Sequence, residues 1–378
     1  MAQALAIRAF DYFTLVQLYQ FNYKGHEDAP GVPIITSENA EEVAANGCAR
    51  STVKETYEFI LGDLNKAIEL LANTKKTRSD KRYVSLDVAY GIRARVHLTM
   101  HNYADALKDA EAALASTSSV PYSSAAVSKP TFIDIEDASW MWGILITDKD
   151  RVSTTGICNF PSHMGSLNYG YASVGGWRRI SPKLYNQIPE SDVRKGWFLD
   201  DTGVSVNLPA AAQAYITKKG APVYTQVKYG PMNDEWGSNN NATDVILMRV
   251  EEMYLIKAEA QAMNNDVSGG VNTLNSFVNT YRDPSYKCTA TTGEAVQEAV
   301  WHQRRIEFWG EGLAYFDIMR LNKGVNRLGC GFPKTAVFNI AAGDPVQIYS
   351  IPNKEVQYNP LLENNPLVSA PTPIPDEE

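Results

Sequence analysis

Amphipathic helical stripes that come in pairs constrain this 378-residue chain more than any other feature. Thr52 and Glu55 form a capping box, the pattern that opens a helix, and apolar residues then recur every three or four positions as far as Leu71. A second pair of stripes covers 85–100 and 103–114, separated by a short turn. Each helix of this kind must bury its apolar face against another element, so the chain is predicted to be mainly α-helical.

Small residues at facing positions favour a particular kind of helical pair. Three alanines of the second pair fall where a tetratricopeptide-type (TPR-type) hairpin needs its two helices to pack closely: Ala94, Ala106 and Ala113. The sequence therefore predicts a TPR-like helical-hairpin scaffold. Further helices are predicted at Ala4–Tyr19, Val245–Met263, Ser268–Tyr281 and Thr292–Leu321.

Residues 116–243 follow a different pattern, in which Pro, Gly, Ser, Asn and aromatic residues dominate. Short strands are predicted there at Ser139–Ile146, Tyr215–Ile216 and Val223–Val227. Four segments follow from these patterns: a TPR-like part at 1–115, a loop-rich aromatic insertion at 116–243 that carries the ligand-binding region, a second TPR-like part at 244–321 that packs on the first, and an irregular C-terminal segment at 322–378.

Charge and hydropathy exclude several classes of function. Lys and Arg together number 35 and Asp and Glu 43, which gives a net charge of −8. No basic run is present, and this disfavours a nucleic-acid-binding protein. No stretch reaches the roughly 18–20 apolar residues that span a bilayer. The first residues also lack the basic and then apolar segments of a signal peptide.

The chain carries no motif that predicts a metal, a cofactor or a catalytic centre. Its four cysteines have no metal-like spacing: Cys48, Cys158, Cys288 and Cys330. His97 and His101 would share a helix face, but no third ligand stands near them in the sequence, so a solvated helix face is favoured. No phosphate-binding loop and no nucleophile elbow is present. We therefore expect a binding protein that is not an enzyme.

Glu307 and Glu311 are four residues apart in a helical pattern and could be read as a general acid–base pair. Arg304 lies three residues before Glu307, and Asp317 lies three residues before Arg320, as in ordinary ion pairs along a helix. Neighbouring arginines lower the pKa of a carboxyl group, which is the wrong direction for a general acid. We interpret these residues as a structural charge network that is buried or paired.

Aromatic residues are concentrated in the insertion. A Trp or Tyr ring can cover the flat C–H face of a sugar while amide and guanidinium groups bind its hydroxyls. Two clusters combine these residue types, and they are the candidate ligand contacts: Asn168, Tyr169, Tyr171, Trp177, Arg178, Trp236 and Asn239. The alternative is that the same rings pin loops to the helices. Four other tryptophans are expected in the core: Trp140, Trp142, Trp301 and Trp309.

Three motifs together resemble the SusD/RagB family of outer-membrane nutrient-binding lipoproteins. QRRIEFWGEGLAYFDIMR at Gln303–Arg320 is similar to the family's ERR-x-E-x-x-x-EG-x-R-x-x-D-x-x-R signature. RVEEMYLIKAEA at Arg249–Ala260 resembles its R-x-x-E-x-x-L-x-x-AEA helix, and IPNKEVQYNPLLENNP at Ile351–Pro366 resembles its C-terminal motif. Weaker similarity lies in IRAFDYFTLVQLYQ near the start and in SP…DVR at 181–194.

The chain also departs from the family pattern. Ala314 stands where the signature has an arginine, so any ion pair of that arginine is missing. The family's signal peptide, lipid-acceptor cysteine and first helices are not matched. We therefore expect an N-terminally truncated piece in which part of the ligand site is lost.

The resemblance implies a function for the chain. It implies a protein on the surface of the outer membrane, held there by a lipid anchor that is absent from this chain. Such a protein binds an oligosaccharide or polysaccharide and delivers it to a SusC-like TonB-dependent transporter. A RagB-like protein that captures peptides is the alternative within the family. A soluble TPR-type scaffold for other proteins is the alternative outside it.

Overall fold

The computed structural model describes residues 1–74, 76–150 and 159–375, and these are mainly helical. The helices are α1 (Ala2–Tyr19), α2 (Ala40–Asn46), α3 (Val53–Ala72), α4 (Leu86–Thr99), α5 (Tyr103–Ser116), α6 (Ser124–Val127), α7 (Phe160–Met164), α8 (Pro182–Tyr185), α9 (Ala210–Lys218), α10 (Val250–Met263), α11 (Val267–Tyr281), α12 (Gly293–Glu307), α13 (Ala314–Arg320) and α14 (Asn353–Tyr358). The strands are β1 (Trp140–Ile144), β2 (Val245–Arg249), β3 (Val325–Asn326) and β4 (Asn339–Ile340). The predicted mainly α, TPR-like scaffold with a loop-rich insertion is confirmed.

The chain forms two compact units. The first comprises Met1–Thr77, Val84–Asp109 and Leu313–Glu378, and the second comprises Arg78–Tyr83 and Ala110–Gly312. The boundaries of these two units differ from those of the four segments predicted from the sequence. The division into four segments stays a prediction.

Helices α1, α3 and α4 form the centre of the first unit. The predicted capping box opens α3, because the Thr52 hydroxyl accepts from the Glu55 N–H at 3.1 Å and the Glu55 carboxylate accepts from the Thr52 N–H at 2.8 Å. Ile60 and Leu64, in the predicted stripe, are fully buried. Local sequence therefore sets both the start and the buried face of this helix.

The asparagines of the C-terminal motif bind earlier loops of the same unit. Asn359 donates to the Cys48 carbonyl at 2.8 Å and accepts from the Cys48 N–H at 2.9 Å. Asn365 donates to the Tyr19 carbonyl at 2.7 Å and accepts from Arg50 at the same distance. These side chains replace a regular backbone ladder, which explains why the motif needs amides at these positions.

The second unit combines α10, α11 and α12 with the antiparallel pair β1–β2. The strand pair brings Trp140 opposite Arg249, and Trp140 is fully buried. Trp142 is buried too, so the core prediction is confirmed for these two rings. Trp301 and Trp309 are instead half-buried.

Four secondary-structure predictions were wrong. The predicted strand Val223–Val227 is not formed, and this stretch carries only isolated bridges at Thr225 and Gln226. Val245–Arg249 is a strand paired with β1, whereas the helix was predicted to start at Val245; α10 begins at Val250. Tyr215 and Ile216 lie in α9, because the alanine-rich stretch before them favours a helix over a strand. The helix predicted over Thr292–Leu321 breaks after Glu307, and two glycines with positive φ follow, Gly310 at 81° and Gly312 at 82°.

Within the described residues, no helix combines the length and the apolar character needed to cross a membrane.

Candidate functional site

Two exposed tyrosines stand out among the predicted ligand contacts. Tyr169 and Tyr171 expose 51% and 45% of their surface. The Tyr169 N–H donates to the Ser238 carbonyl at 2.7 Å, and its own carbonyl accepts from the Asn241 amide at 3.3 Å. The Tyr171 N–H donates to the Ser162 hydroxyl at 2.8 Å. The backbone under both rings is thus fixed, and we call Tyr169 and Tyr171 the tyrosine surface.

A lysine of the segment after α9 lies beside the first of these rings. Lys219 Nζ is 5.3 Å from the centre of the Tyr169 ring and 5.7 Å from that of Tyr215. The Tyr215 hydroxyl donates to the Asn168 carbonyl at 3.2 Å. Lys219 therefore adds a hydrogen-bond donor next to an exposed ring. The strand predicted at Tyr215–Ile216 gave no reason to place Lys219 beside these rings, whereas Tyr215 lies in α9.

The second ring has polar neighbours of its own. The His163 ring lies 4.6 Å from the Tyr171 ring, centre to centre, and Arg178 Nη2 is 3.3 Å from His163 Nδ1. A Cβ on Gly176 would come within 2.8 Å of the Tyr171 ring, so glycine is required for this packing. The structure thus connects two predicted contacts, Tyr171 and Arg178, through a histidine that the sequence analysis did not select.

The two predicted tryptophans serve partly as core. Trp177 and Trp236 are half-buried and pack against one apolar cluster, formed by Leu167, Leu199, Ala212, Ile216 and Val227. This arrangement matches the alternative weighed for these rings, because each pins a loop while keeping part of its surface open. As ligand contacts they stay predictions.

The predicted amide partners differ in exposure. Asn239 is exposed. Asn168 is only 2% exposed, and its side-chain amide donates to the Asn241 side chain. Asn168 therefore holds the loop that carries Tyr169. Its predicted contact with a ligand stays a prediction, and its burial disfavours that contact.

A buried charge network occupies the middle of the second unit. Glu307 is fully buried and lies within 3.3 Å of three arginines: Arg194, Arg249 and Arg282. Burial disfavours the charged carboxylate, but these arginines, Arg282 most strongly, hold the pKa of Glu307 well below its ordinary value.

Glu311 belongs to the same network although it lies beyond the end of α12. Its carboxylate accepts from Lys228 at 2.6 Å and from Arg249 at 2.8 Å. Lys228 also donates to the backbone carbonyls of Glu307 and Trp309, at 2.9 Å and 3.1 Å. Burial lowers the pKa of Lys228 to about 8, while Glu311 opposes that shift.

These contacts confirm that the signature residues are buried and paired, with one correction. The four-residue spacing of Glu307 and Glu311 predicts one helix face for both, whereas only Glu307 lies in α12. Arg304 contacts Glu252 at 3.5 Å, and Arg320 binds Asp317 at 2.8 Å as its spacing predicts. Carboxylates held as anions in this way do not supply a general acid.

The two histidines weighed as metal ligands do not share a helix face. α4 ends at Thr99, and His101 has a φ of 61° and places its Nε2 2.9 Å from the Arg320 carbonyl. His97 lies 3.8 Å from Asp109. No group of three potential metal-binding side chains occurs in the described parts of the chain. Cys158 lies outside the described residues; Cys48, Cys288 and Cys330 are free thiols.

Comparison with protein families gives matches over both halves of the chain. A model described as "SusD family" matches residues 191–367, and one described as "Starch-binding associating with outer membrane" matches residues 1–98. The chain belongs to the SusD/RagB family. No curated protein sequence matches it.

Solved SusD structures share the fold. A SusD-like carbohydrate binding protein from Bacteroides vulgatus is 25% identical with a TM-score of 0.77, and the match covers 96% of this chain and 76% of that one. A SusD superfamily protein from Bacteroides thetaiotaomicron is 23% identical with a TM-score of 0.78, over 97% of this chain and 77% of that one. One from Parabacteroides distasonis is 18% identical with a TM-score of 0.70, over 97% and 78%.

Proposed function

We propose that this SusD/RagB chain is a non-enzymatic glycan-binding protein that works at the outer-membrane surface, with the tyrosine surface as its centre. The single observation that carries the proposal is the pair of exposed rings, Tyr169 and Tyr171, on backbone fixed by hydrogen bonds. Two exposed rings that lie two residues apart in the chain can form part of an apolar surface of the kind that binds ligands. The family description as starch-binding and the carbohydrate-binding relative from Bacteroides vulgatus support a sugar as that ligand.

The chemistry of the surrounding side chains suits a neutral sugar. Each ring would cover one apolar sugar face, worth about 1 kcal/mol by analogy with aromatic pairs. Donors for hydroxyl groups stand beside both rings, Lys219 at Tyr169 and Arg178 near Tyr171. Asn239 adds an exposed amide, and Trp177 and Trp236 add the open parts of half-buried rings.

Membership of the SusD/RagB family also suggests which step follows capture of the ligand. We propose that the protein passes the captured glycan to a SusC-like TonB-dependent transporter in the same membrane. Capture of peptides, as in a RagB-like protein, is the second candidate, and Arg178 and Lys219 would then bind peptide carbonyls or carboxylates. A soluble protein-interaction scaffold is the third, and the exposed rings favour it least.

Isothermal titration calorimetry with the intact chain tests the proposal. Maltoheptaose is the first probe, followed by xylo- and manno-oligosaccharides and then by a peptide digest. Tyr169→Ala and Tyr171→Ala should each weaken sugar binding about fivefold, which corresponds to about 1 kcal/mol. Tyr358→Ala is the matched control, because Tyr358 is 78% exposed in α14 of the first unit. Binding to peptides alone, or sugar binding unchanged in both variants, would contradict the proposal.

A further inference from the structure

A cavity of the second unit shares none of its lining residues with the tyrosine surface. Its volume is about 490 Å³, within the range of sites for small molecules. Tyr185 at the end of α8, residues of the stretch 186–207 and Tyr224 line it. Of the motifs of the family resemblance, only the weak SP…DVR match at 181–194 falls in this region.

Two tyrosine rings form the aromatic part of this cavity. The rings of Tyr185 and Tyr224 are 5.1 Å apart, centre to centre, and inclined by 57°. Tyr224 has a φ of 64°, which is rare for a bulky residue. Its N–H donates to the Leu199 carbonyl and its carbonyl accepts from the Ile180 N–H, both at 3.0 Å, so two hydrogen bonds hold the unusual backbone that places this ring.

A cation already lies against one of these rings. Lys195 Nζ is 5.1 Å from the centre of the Tyr185 ring and 2.5 Å from Glu190. Lys195 therefore neutralises Glu190. It also shows that this part of the cavity accommodates an ammonium group next to an aromatic face.

Two further carboxylates of the lining have no cationic partner among the described contacts. Thr202 donates two hydrogen bonds to one oxygen of Asp200, and the Val204 N–H donates a third to the same oxygen. Burial opposes ionisation of Asp200, but these bonds lower its pKa, so it is an anion at neutral pH. Asp201 is exposed at the same cavity.

A buried amide adds a third acceptor. Asn207 is 8% exposed and lines the cavity. Its Nδ2 donates to the carbonyls of Val193 at 3.0 Å and Val127 at 3.4 Å. Its Oδ1 receives no hydrogen bond within the described residues. Burial and the negative charges of Asp200, Glu190 and Asp201 raise the pKa of Tyr185 to about 12, in agreement with a negative potential in the cavity.

We propose that this cavity is a separate binding site for an amino sugar with a free primary amine. The ammonium group would lie between the tyrosine rings and the carboxylates of Asp200 and Asp201, and ring hydroxyls would donate to Asn207 Oδ1. An N-acetylated amino sugar and a neutral sugar carry no positive charge, so both should bind less tightly than a sugar with a protonated amine. The site is independent of the proposed function, since it uses other residues and another ligand chemistry.

Binding of glucosamine to the intact chain, followed by NMR titration at low salt and about pH 6, tests this site. Glucose and N-acetylglucosamine are the neutral probes, and glucosamine should bind at least about tenfold more tightly than either. Asp201→Asn should weaken glucosamine binding about fivefold, because it removes one attractive charge and breaks no described contact. Glu363→Gln is the control for the same loss of charge at an exposed position of the first unit.

The outcomes separate this site from the tyrosine surface. Tyr169→Ala should leave glucosamine binding unchanged, and Asp201→Asn should leave maltoheptaose binding unchanged. Equal affinity for glucosamine and glucose, wild-type binding by Asp201→Asn, or no binding of glucosamine at 50 mM would each overturn the inference.

Discussion

Arg282 binds Glu307 through two parallel hydrogen bonds, Nε to Oε2 and Nη2 to Oε1, each 2.8 Å long. Both side chains are fully buried, and they join the loop after α11 to the last residue of α12. A planar guanidinium and a planar carboxylate match in this geometry, which lysine could not reproduce. The family signature around Glu307 is therefore explained by packing of buried charge.

Replacing Glu307 by Gln should destabilise the protein by about 3–5 kcal/mol, because three buried arginines lose their shared anion. Urea unfolding measures the effect. Glu69→Gln is the matched control, since Glu69 pairs with Lys66 on the surface at 2.8 Å and its loss should cost less than about 1 kcal/mol. Similar costs for the two variants would show that the network is not a structural centre.

Lys228 should make stability rise with pH above about 8. Its pKa is about 8 in the folded protein and 10.5 ordinarily, so between these values the unfolded chain binds more protons and deprotonation favours folding. The difference in unfolding free energy between wild type and Lys228→Met should therefore grow from pH 8 to pH 10, by at most about 1.4 kcal/mol per pH unit. A difference independent of pH would show that Lys228 titrates normally.

Gly310 and Gly312 have nearly the same φ but different surroundings. Gly312→Ala should cost about 1 kcal/mol, the strain of a left-handed residue, because nothing lies within 4 Å of the added Cβ. Gly310→Ala should cost about 2 kcal/mol or more, because its Cβ would lie 3.0 Å from the buried Tyr229 hydroxyl. Thermal unfolding of the two variants measures how much stability each loses. Equal losses would show that the Cβ added at position 310 makes no costly clash.

Trp236→Ala should lower stability as well as sugar affinity, whereas Tyr171→Ala should lower affinity alone. Trp236 packs on the apolar cluster around Ile216, so its removal leaves a cavity worth about 2–3 kcal/mol. Tyr171 is exposed, and its removal should change the unfolding free energy by less than about 1 kcal/mol. Unfolding curves and calorimetric titrations of the same preparations separate the two effects. A Trp236→Ala variant as stable as wild type would place this ring outside the core.

Helices could be predicted from the sequence wherever one apolar face repeats without interruption. The stripe of α3 and its capping box depend on neighbours three and four residues away, which the sequence displays directly. Val245–Arg249 could not be assigned in this way, because a short apolar run fits a buried helix and a buried strand equally well. Pairing with Trp140, more than a hundred residues earlier, decides for the strand.

The candidate site was predictable only in its residue types. An aromatic-rich insertion was evident, but which rings stay exposed depends on the cluster under Trp177 and Trp236, to which α9 contributes. The contact between Lys228 and Glu311 spans 83 residues, and that between Tyr185 and Tyr224 joins the end of α8 to a later loop. Neither has a local signal. The seven ligand contacts stay a prediction until binding is measured.

Lys228 is enclosed by the rings of Phe132, Trp197 and Tyr229, 4.5, 4.8 and 5.4 Å from its amine. An amine-reactive reagent cannot reach it in the closed state. Once the surrounding side chains separate, the freed amine becomes as reactive as any surface lysine. The rate at which mass spectrometry detects a label on Lys228 would therefore report how often the interior of the second unit opens, in a living cell as well as in a tube.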